Sequence, residues 1–125
     1  MTSTLTWRVL LVDDDTLVRD SVRRMLEFDR HKVTAVGSAA EALKLCDTET
    51  FDLIVLDYIM PVMKGDKLAE ALKGRFPNLP IIMITADAEK LDETAERPAG
   101  VDILMAKPFQ LSDLRDAVNK LMVKA

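Results

Sequence analysis

The chain has 125 residues, of which 49% are hydrophobic and 30% are charged, and its net charge at pH 7 is −4. This length and balance are typical of one folded domain with its own core. Because the chain is acidic and lacks a run of five basic residues, we expect no direct nucleic-acid binding. The single cysteine, Cys46, excludes an intramolecular disulfide and a thiolate metal cluster, and its apolar surroundings predict a buried side chain.

The chain begins without the basic and apolar segments of a secretory signal. It also contains no apolar stretch near the roughly 20 residues that a membrane span needs. We therefore predict a cytoplasmic protein without a membrane segment. Residues 1–6 are predicted to form a flexible N-terminal tail, and residues 7–125 a single domain without linkers or repeats.

Short, continuous apolar runs predict the buried strands of a parallel sheet, because helices cover both faces of such strands. These runs are residues 9–12, 53–56, 81–84 and 103–105, and a weaker run at 33–36 is typical of an edge strand. Segments with helical periodicity separate the runs. Five β-α units in this order predict a parallel sheet with helices on both faces and right-handed crossovers.

The predicted helices differ in how firmly they should be held. In the first helix, Leu17, Val22 and Leu26 belong to one apolar stripe that is expected to face the core. The fourth predicted helix, between residues 87 and 98, has only a thin apolar stripe. Because a thin stripe buries little area, we expect this helix to be the least firmly held.

Several single residues have a structural interpretation that we prefer to a functional one. Asp15 is predicted to cap the first helix rather than to bind a metal, and Trp7 is predicted to be a packing residue. His31, the sole histidine, is predicted to be a solvated residue of a polar turn. Met60 and Met63 are loop residues that we interpret as an adaptable contact surface. Ser38 and Glu41 have the spacing of a capping box that begins the second helix.

Polar side chains follow the predicted strands at the edge where ligands of open α/β sheets bind. They are Asp13, Asp14 and Asp15 after the first strand, Asp57 after the third, Thr85 after the fourth and Lys107 after the fifth. Two carboxylates about 4 Å apart repel by about 4 kcal/mol at an effective dielectric near 20, so the group requires a cation or protons. Oxygen ligands without histidine or cysteine suit Mg²⁺. A dication, a carboxylate acceptor and an ammonium group together match the needs of phosphoryl transfer.

These motifs, in this order, resemble the receiver domain of two-component response regulators over residues 7–124. They are Val9-Leu10-Leu11-Val12-Asp13-Asp14-Asp15, Asp57 followed by Met60-Pro61 and Gly65, Thr85-Ala86, and Lys107-Pro108-Phe109. The resemblance implies a flavodoxin-like, doubly wound (βα)5 fold with a five-stranded parallel sheet in the order 2-1-3-4-5. It makes residues 7–125 the receiver domain.

The resemblance also implies a magnesium site. Asp57 is expected to be the phosphoacceptor and, together with Asp14 and the backbone carbonyl of Ile59, a direct Mg²⁺ ligand. Asp13 is expected to act mainly through a metal-bound water.

Residues after the fourth and fifth strands are implied to respond to the phosphoryl group. Lys107 is expected to pair with Asp57 or with its phosphoryl group, and its bond to Pro108 can be cis. Thr85 is expected to move and donate a hydrogen bond to a phosphoryl oxygen, while the small side chain of Ala86 leaves room for that group.

The function implied by the resemblance is a phosphoacceptor switch of a phosphorelay, not an enzyme with a separate substrate. The partners are a histidine kinase or histidine phosphotransfer protein, and a downstream protein target or a fused effector or kinase domain. The switch is expected to shift the face formed by helix 4, strand 5 and helix 5. The sequence is compatible with a stand-alone shuttle and with a receiver excised from a longer protein. It is also compatible with a phosphorylation-dependent homodimer.

The sequence departs from the receiver pattern at two places. Many receivers carry an aromatic residue three positions before the lysine, where this chain has Leu104, so the usual coupling of that residue with Thr85 is in doubt. Ile59 and Asp87 flank the expected path of the attacking water. We hypothesise that the apolar Ile59 disfavours that water and lengthens the phosphoryl lifetime.

Three alternative functions fit the sequence less well than the switch. An aspartate-nucleophile phosphatase requires a second acid where the chain has Ile59. A nucleotide or flavin binder requires a glycine-rich loop after the first strand, where the acidic run 13–15 stands. A degenerate receiver that acts as a phosphorylation-independent docking module is disfavoured by the complete set of acids, Thr85 and Lys107, and stays the main alternative.

Overall fold

The computed structural model describes residues 6–60, 62–86 and 99–124. Five parallel strands form one sheet in the order β2-β1-β3-β4-β5, which confirms the predicted fold class. The strands are β1 (Arg8–Val12), β2 (Lys32–Val36), β3 (Leu53–Asp57), β4 (Ile81–Thr85) and β5 (Ile103–Ala106).

The helices in the described parts of the chain are α1 (Thr16–Phe28), α2 (Ala39–Cys46), α3 (Gly65–Arg75) and α4 (Leu111–Lys124). None of them is long and apolar enough to cross a membrane. The helix that the sequence predicts between residues 87 and 98 lies outside the described residues, as do residues 1–5 of the predicted tail. The helix that we call α4 is therefore the fifth helix of the sequence prediction.

The core consists of two layers, because successive side chains of each strand point to opposite faces of the sheet. One layer packs on α2 and α3, and it contains Leu10, Val12, Ile54, Leu56, Ile81, Met83, Ala42, Cys46, Leu68 and Leu72. The other layer packs on α1 and α4, and it contains Val9, Leu11, Leu53, Val55, Ile82, Ile84, Val22, Leu26, Leu114 and Val118. Burial on both faces explains why the strands are continuous apolar runs.

Two predicted helix caps are confirmed. The Asp15 carboxylate accepts hydrogen bonds from the backbone N–H groups of Leu17 (3.0 Å) and Val18 (3.3 Å) at the start of α1. At the start of α2, the Ser38 hydroxyl accepts from the N–H of Glu41 at 3.2 Å. The Glu41 carboxylate reaches back to the N–H of Gly37 at 3.0 Å, one residue earlier than in the usual capping box.

Three predictions about single residues were wrong. Leu17, in the first turn of α1, is 82% exposed. The buried residues of this helix are Val22 and Leu26, which lie in its later turns. His31 is buried, because the turn after α1 places it against the start of β1, where its Nδ1 accepts the backbone N–H of Trp7 at 3.1 Å.

Met60 is also buried and not part of an exposed contact surface, because the loop after β3 folds back over the first core layer. Met63, in the same loop, is partly buried against that layer. The loop therefore contributes to the core as well as to the rim of the sheet.

Candidate functional site

Three carboxylates meet at the carboxyl ends of β1 and β3. Oxygen atoms of Asp13, Asp14 and Asp57 all lie within 4.8 Å of one another. Asp13 and Asp57 are buried, whereas Asp14 is exposed. The two strands are direct neighbours in the sheet, with Val12 paired to Leu56, so the acids that follow them necessarily lie close together.

Asp13 is held at three points around the end of β1. Its N–H donates to the carbonyl oxygen of Val36 on β2 at 3.1 Å. Its carboxylate accepts the backbone N–H of Asp15 at 2.9 Å. Its carbonyl oxygen accepts a hydrogen bond from Nη1 of Arg19, one turn into α1, at 2.9 Å. Two of these contacts fix the backbone of Asp13, and the hydrogen bond from Asp15 orients its carboxylate.

Lys107 supplies a positive charge to the cluster. Its Nζ lies 3.5 Å from Oδ1 of Asp57. Its backbone N–H donates to the carbonyl oxygen of Thr85 at 2.8 Å, which ties the chain after β5 to the end of β4. The peptide bond between Lys107 and Pro108 is cis.

Thr85 is the last residue of β4 and is almost completely buried. It pairs in register with Ala106 of β5, and Ile84 before it pairs with Asp57 of β3. Thr85 therefore lies one position beyond Asp57 at the same edge of the sheet. Ala86, directly after it, is exposed.

Gly65 allows α3 to begin close behind Asp57. Its N–H donates to the carbonyl oxygen of Tyr58 at 2.8 Å. A Cβ atom at this position would lie only 2.3 Å from the Asp57 carbonyl oxygen and 2.9 Å from Cα of Tyr58. Both are backbone atoms, so no other residue fits without moving the loop that carries Asp57 and Ile59.

Burial of the acids changes their proton affinity. Desolvation raises the pKa of Asp13 from 3.8 to about 6, against the opposing hydrogen bond from Asp15. The pKa of Asp57 is also raised, again mainly by burial, and the nearby Lys107 ammonium opposes that rise. Burial thus destabilises the ionised form of both carboxylates, and a bound cation would stabilise it.

The donor set fits a hard dication. The three carboxylates and the Lys107 ammonium carry a net charge of −2 when they are ionised, which is equal and opposite to the charge of Mg²⁺. All the side-chain ligands are oxygen atoms, as Mg²⁺ prefers. The side chain of Ile59 is exposed in the loop two residues after Asp57, and the ligand role of its carbonyl stays a prediction.

The structure thus brings together the side chains of Asp13, Asp14, Asp57 and Lys107, and it places Thr85 at the adjoining strand end. The sequence prediction missed Arg19, whose contact with Asp13 depends on the path of two loops. An arginine six residues after the first acid, in the first turns of the following helix, was the only available signal.

Comparison with known proteins agrees with this geometry. The chain matches the response regulator receiver domain family over residues 9–119. It belongs to that family, and it is therefore the receiver domain of a response regulator in two-component signal transduction. Receiver domains are generally not classical enzymes.

Relatives and solved structures support the same assignment. Response regulator MprA of Mycobacterium tuberculosis is 36% identical over 115 residues, which are 92% of this chain and 50% of that protein. The Francisella response regulator 1452 receiver domain superposes with a TM-score of 0.83 at 30% identity, covering 95% of this chain and 98% of the other. Response regulator TrrA of Thermotoga maritima, solved in complex with Mg²⁺ and BeF, gives 0.83 at 26% identity, covering 94% and 99%.

The chain spans about half the length of the curated relatives that it matches. The match therefore defines the receiver and does not extend to the remaining half of those relatives.

Proposed function

We propose that this receiver is a phosphoacceptor switch in which Asp57 accepts a phosphoryl group with the help of Mg²⁺. The observation that supports this most directly is the position of Asp57. Its buried carboxylate lies at the end of β3, with ligand atoms of two other acids within 4.8 Å and the Lys107 ammonium 3.5 Å away. That arrangement combines a nucleophile with an ammonium group and with carboxylates that would hold Mg²⁺, which are the parts that phosphoryl transfer requires.

The donor is a phosphohistidine of a histidine kinase or of a histidine phosphotransfer protein. An ionised Asp57 oxygen forms a bond to phosphorus while the bond from phosphorus to the histidine nitrogen breaks, and the imidazole keeps that electron pair. Lys107 orients the carboxylate before transfer and pairs with the phosphoryl oxygens after it. Burial raises the pKa of Asp57, and the Lys107 ammonium opposes that rise and so favours the ionised form that attacks phosphorus.

Asp13, Asp14 and Asp57 would hold the Mg²⁺, together with the carbonyl oxygen of Ile59. When bound, Mg²⁺ stabilises negative charge on the oxygens of the transferred group. The Asp15 N–H holds the Asp13 carboxylate in place at 2.9 Å, which suits a residue that acts through a metal-bound water.

The response to phosphorylation begins at Thr85 and Lys107. Thr85 shifts to donate a hydrogen bond to a phosphoryl oxygen, and its neighbour Ala86 leaves the room that this requires. Because the Lys107 N–H is bonded to the Thr85 carbonyl, movement of Thr85 is passed to the end of β5. The face that changes comprises β5, α4 and the helix predicted between residues 87 and 98.

The signal does not use an aromatic rotamer in β5. Leu104 is partly buried, and it packs against the core layer formed with α2 and α3. Because β5 contains no aromatic residue, the shift operates through backbone and helix packing instead. It is a change of population between two arrangements of one fold.

The output is a downstream protein target or a fused effector or kinase domain, and the protein acts in the cytoplasm. The relatives of twice its length favour a fused output. In a phosphorylation-dependent homodimer, two receivers would pair through the face formed by β5 and α4.

Intact mass after incubation with acetyl phosphate and Mg²⁺ tests the proposal. The wild type should gain one phosphoryl group, and the gain should disappear without Mg²⁺ and in Asp57→Asn. Asp116→Asn, which removes an exposed acid of α4, is the matched control and should behave as the wild type. If the wild type gains no phosphoryl group and beryllofluoride does not raise its melting temperature, the docking-module function replaces the switch.

A further inference from the structure

Arg19 is bonded to the backbone of the acidic site and lies against the neighbouring loop. Its Nη1 donates to the carbonyl oxygen of Asp13 at 2.9 Å. The same nitrogen lies 2.9 Å from the point where a Cβ atom would stand at Gly37, the residue that follows β2. A Cβ atom added at position 37 would therefore stand too close to the guanidinium group, and one of the two would have to shift.

The hydrogen bond from Arg19 to the Asp13 carbonyl oxygen also affects the position of Asp14. The carbonyl group of Asp13 and the N–H of Asp14 belong to one planar peptide unit, so fixing the carbonyl fixes the starting direction of the Asp14 backbone. Asp14 is exposed, and the loop that carries it is anchored here from the α1 side. The Asp13 carboxylate has its own support in the N–H of Asp15.

We propose that Arg19, seated over Gly37, is a positioning residue that keeps the Asp14 carboxylate beside Asp13 and Asp57 for cation binding. This inference rests on the proposed function, because it assumes that the three acids hold Mg²⁺. Groups that orient metal ligands without touching the metal typically contribute 10- to 100-fold in metal affinity. The site accordingly depends on the β2–α2 loop, which supplies no ligand to it.

The geometry predicts that two different substitutions act through one contact. Arg19→Met keeps most of the apolar stem and removes the guanidinium group. Gly37→Ala keeps the guanidinium group and places a methyl group 2.9 Å from Nη1, closer than Cβ atoms approach such groups in real proteins. The backbone at Gly37 is not in the left-handed region, so alanine is compatible with it, and the atom that must give way is the end of a flexible side chain.

Calorimetric titration with Mg²⁺ at constant ionic strength tests the inference. Each single variant should bind Mg²⁺ roughly 10-fold more weakly than the wild type. The double variant should bind no more weakly than either single variant, because the methyl group at position 37 acts only by displacing Arg19. Arg24→Met, on an exposed residue of the same helix, is the matched control and should bind as the wild type.

Urea unfolding in the presence of a chelator separates positioning from general stability. The midpoint of unfolding of Arg19→Met should stay close to that of Arg24→Met, although only Arg19→Met loses Mg²⁺ affinity. Wild-type Mg²⁺ affinity in both single variants would overturn the inference, and so would additive losses in the double variant. In those cases the wild type still binds Mg²⁺ and the proposed function survives, whereas a wild type that binds no Mg²⁺ overturns both.

Discussion

The ammonium group of Lys107 lies 3.5 Å from the Asp57 carboxylate although their strands are not neighbours. β4 lies between β3 and β5, and it ends in Thr85. The ion pair thus connects residues at the ends of β3 and β5 across the end of β4. In the proposed switch, this ion pair would link a modified Asp57 to the end of β5, which lies two strands away.

Removing the Lys107 charge should raise the pKa of Asp57 further, because the ammonium is the main group that favours the anion. In Lys107→Met we expect a higher carboxyl pKa by carbon-detected NMR titration. We also expect acetyl phosphate to phosphorylate the variant at least about 10-fold more slowly, as when a charge-stabilising donor is lost. Lys120→Met, on an exposed residue of α4, should change neither quantity. An unchanged Asp57 pKa in Lys107→Met would contradict the pairing.

Replacing Asp13 by asparagine should stabilise the metal-free protein at neutral pH. The folded-state pKa of about 6 lies above the unfolded value of 3.8, so this group's contribution to stability is complete below 3.8 and is lost as the pH rises through about 6. At pH 7 the buried anion costs roughly 3 kcal/mol, which Asp13→Asn avoids. Urea unfolding in a chelator at pH 4 and pH 7 measures this difference. The advantage of the variant should shrink at pH 4 and in saturating Mg²⁺, and an equal advantage at both pH values would exclude a charge effect.

Gly65 and Gly74 provide a paired test within α3. Gly65→Ala should destabilise the domain by about 2 kcal/mol or more, because its Cβ would lie 2.3 Å from the Asp57 carbonyl oxygen. It should also slow phosphorylation, since the loop that carries Asp57 must move. At Gly74 a Cβ atom would meet nothing within 4 Å, so Gly74→Ala should stabilise the helix by about 0.5 to 1 kcal/mol. Thermal unfolding and phosphorylation rates of both variants check this, and equal effects of the two changes would refute it.

The buried His31 should give the domain a dependence on mildly acidic pH. Burial lowers the pKa of His31 below 6.5, and its Nδ1 accepts the Trp7 N–H, which only the unprotonated nitrogen can do. The stability from this group is therefore present above pH 6.5 and is lost as the pH falls through the lower folded-state pKa. Relative to His31→Gln, the wild type should lose stability between pH 7 and pH 5. The difference between the two unfolding curves isolates His31, because the acids at the site, which have the opposite pH dependence, are common to both proteins. A constant difference across this range would show that His31 is not the titrating group.

Local patterns in the sequence predicted the sheet and the outline of the site. Strands buried on both faces leave long apolar runs, and the caps of Asp15 and Ser38 follow from hydrogen bonds between residues at most three positions apart. The parallel topology then brings the acids and Lys107 to one edge without further information.

What the sequence did not predict depends on contacts between distant segments. His31 is buried because it meets Trp7, 24 positions away. Arg19 reaches over Gly37, which lies on a different loop, and Met60 turns inward because the loop after β3 folds back on the core. The periodicity of a single segment contains no information about contacts between distant segments. His31 and Met60 were therefore assigned from their neighbours in the chain, and both assignments were wrong.

The Ile59 side chain is 58% exposed in the loop that follows Asp57, where a polar residue could hold water near the phosphoryl group. Ile59→Asn should therefore speed the loss of the phosphoryl group by about 3-fold or more, because an amide can orient the attacking water and an alkyl group cannot. The decay of the phosphorylated mass after removal of acetyl phosphate measures this rate. Val62→Asn is the control, since Val62 is exposed in the same loop with a φ of 70°, a conformation that asparagine adopts more readily than valine. The control should raise stability and leave the decay unchanged. If Ile59→Asn also leaves the decay unchanged, the hypothesis that Ile59 lengthens the phosphoryl lifetime is wrong.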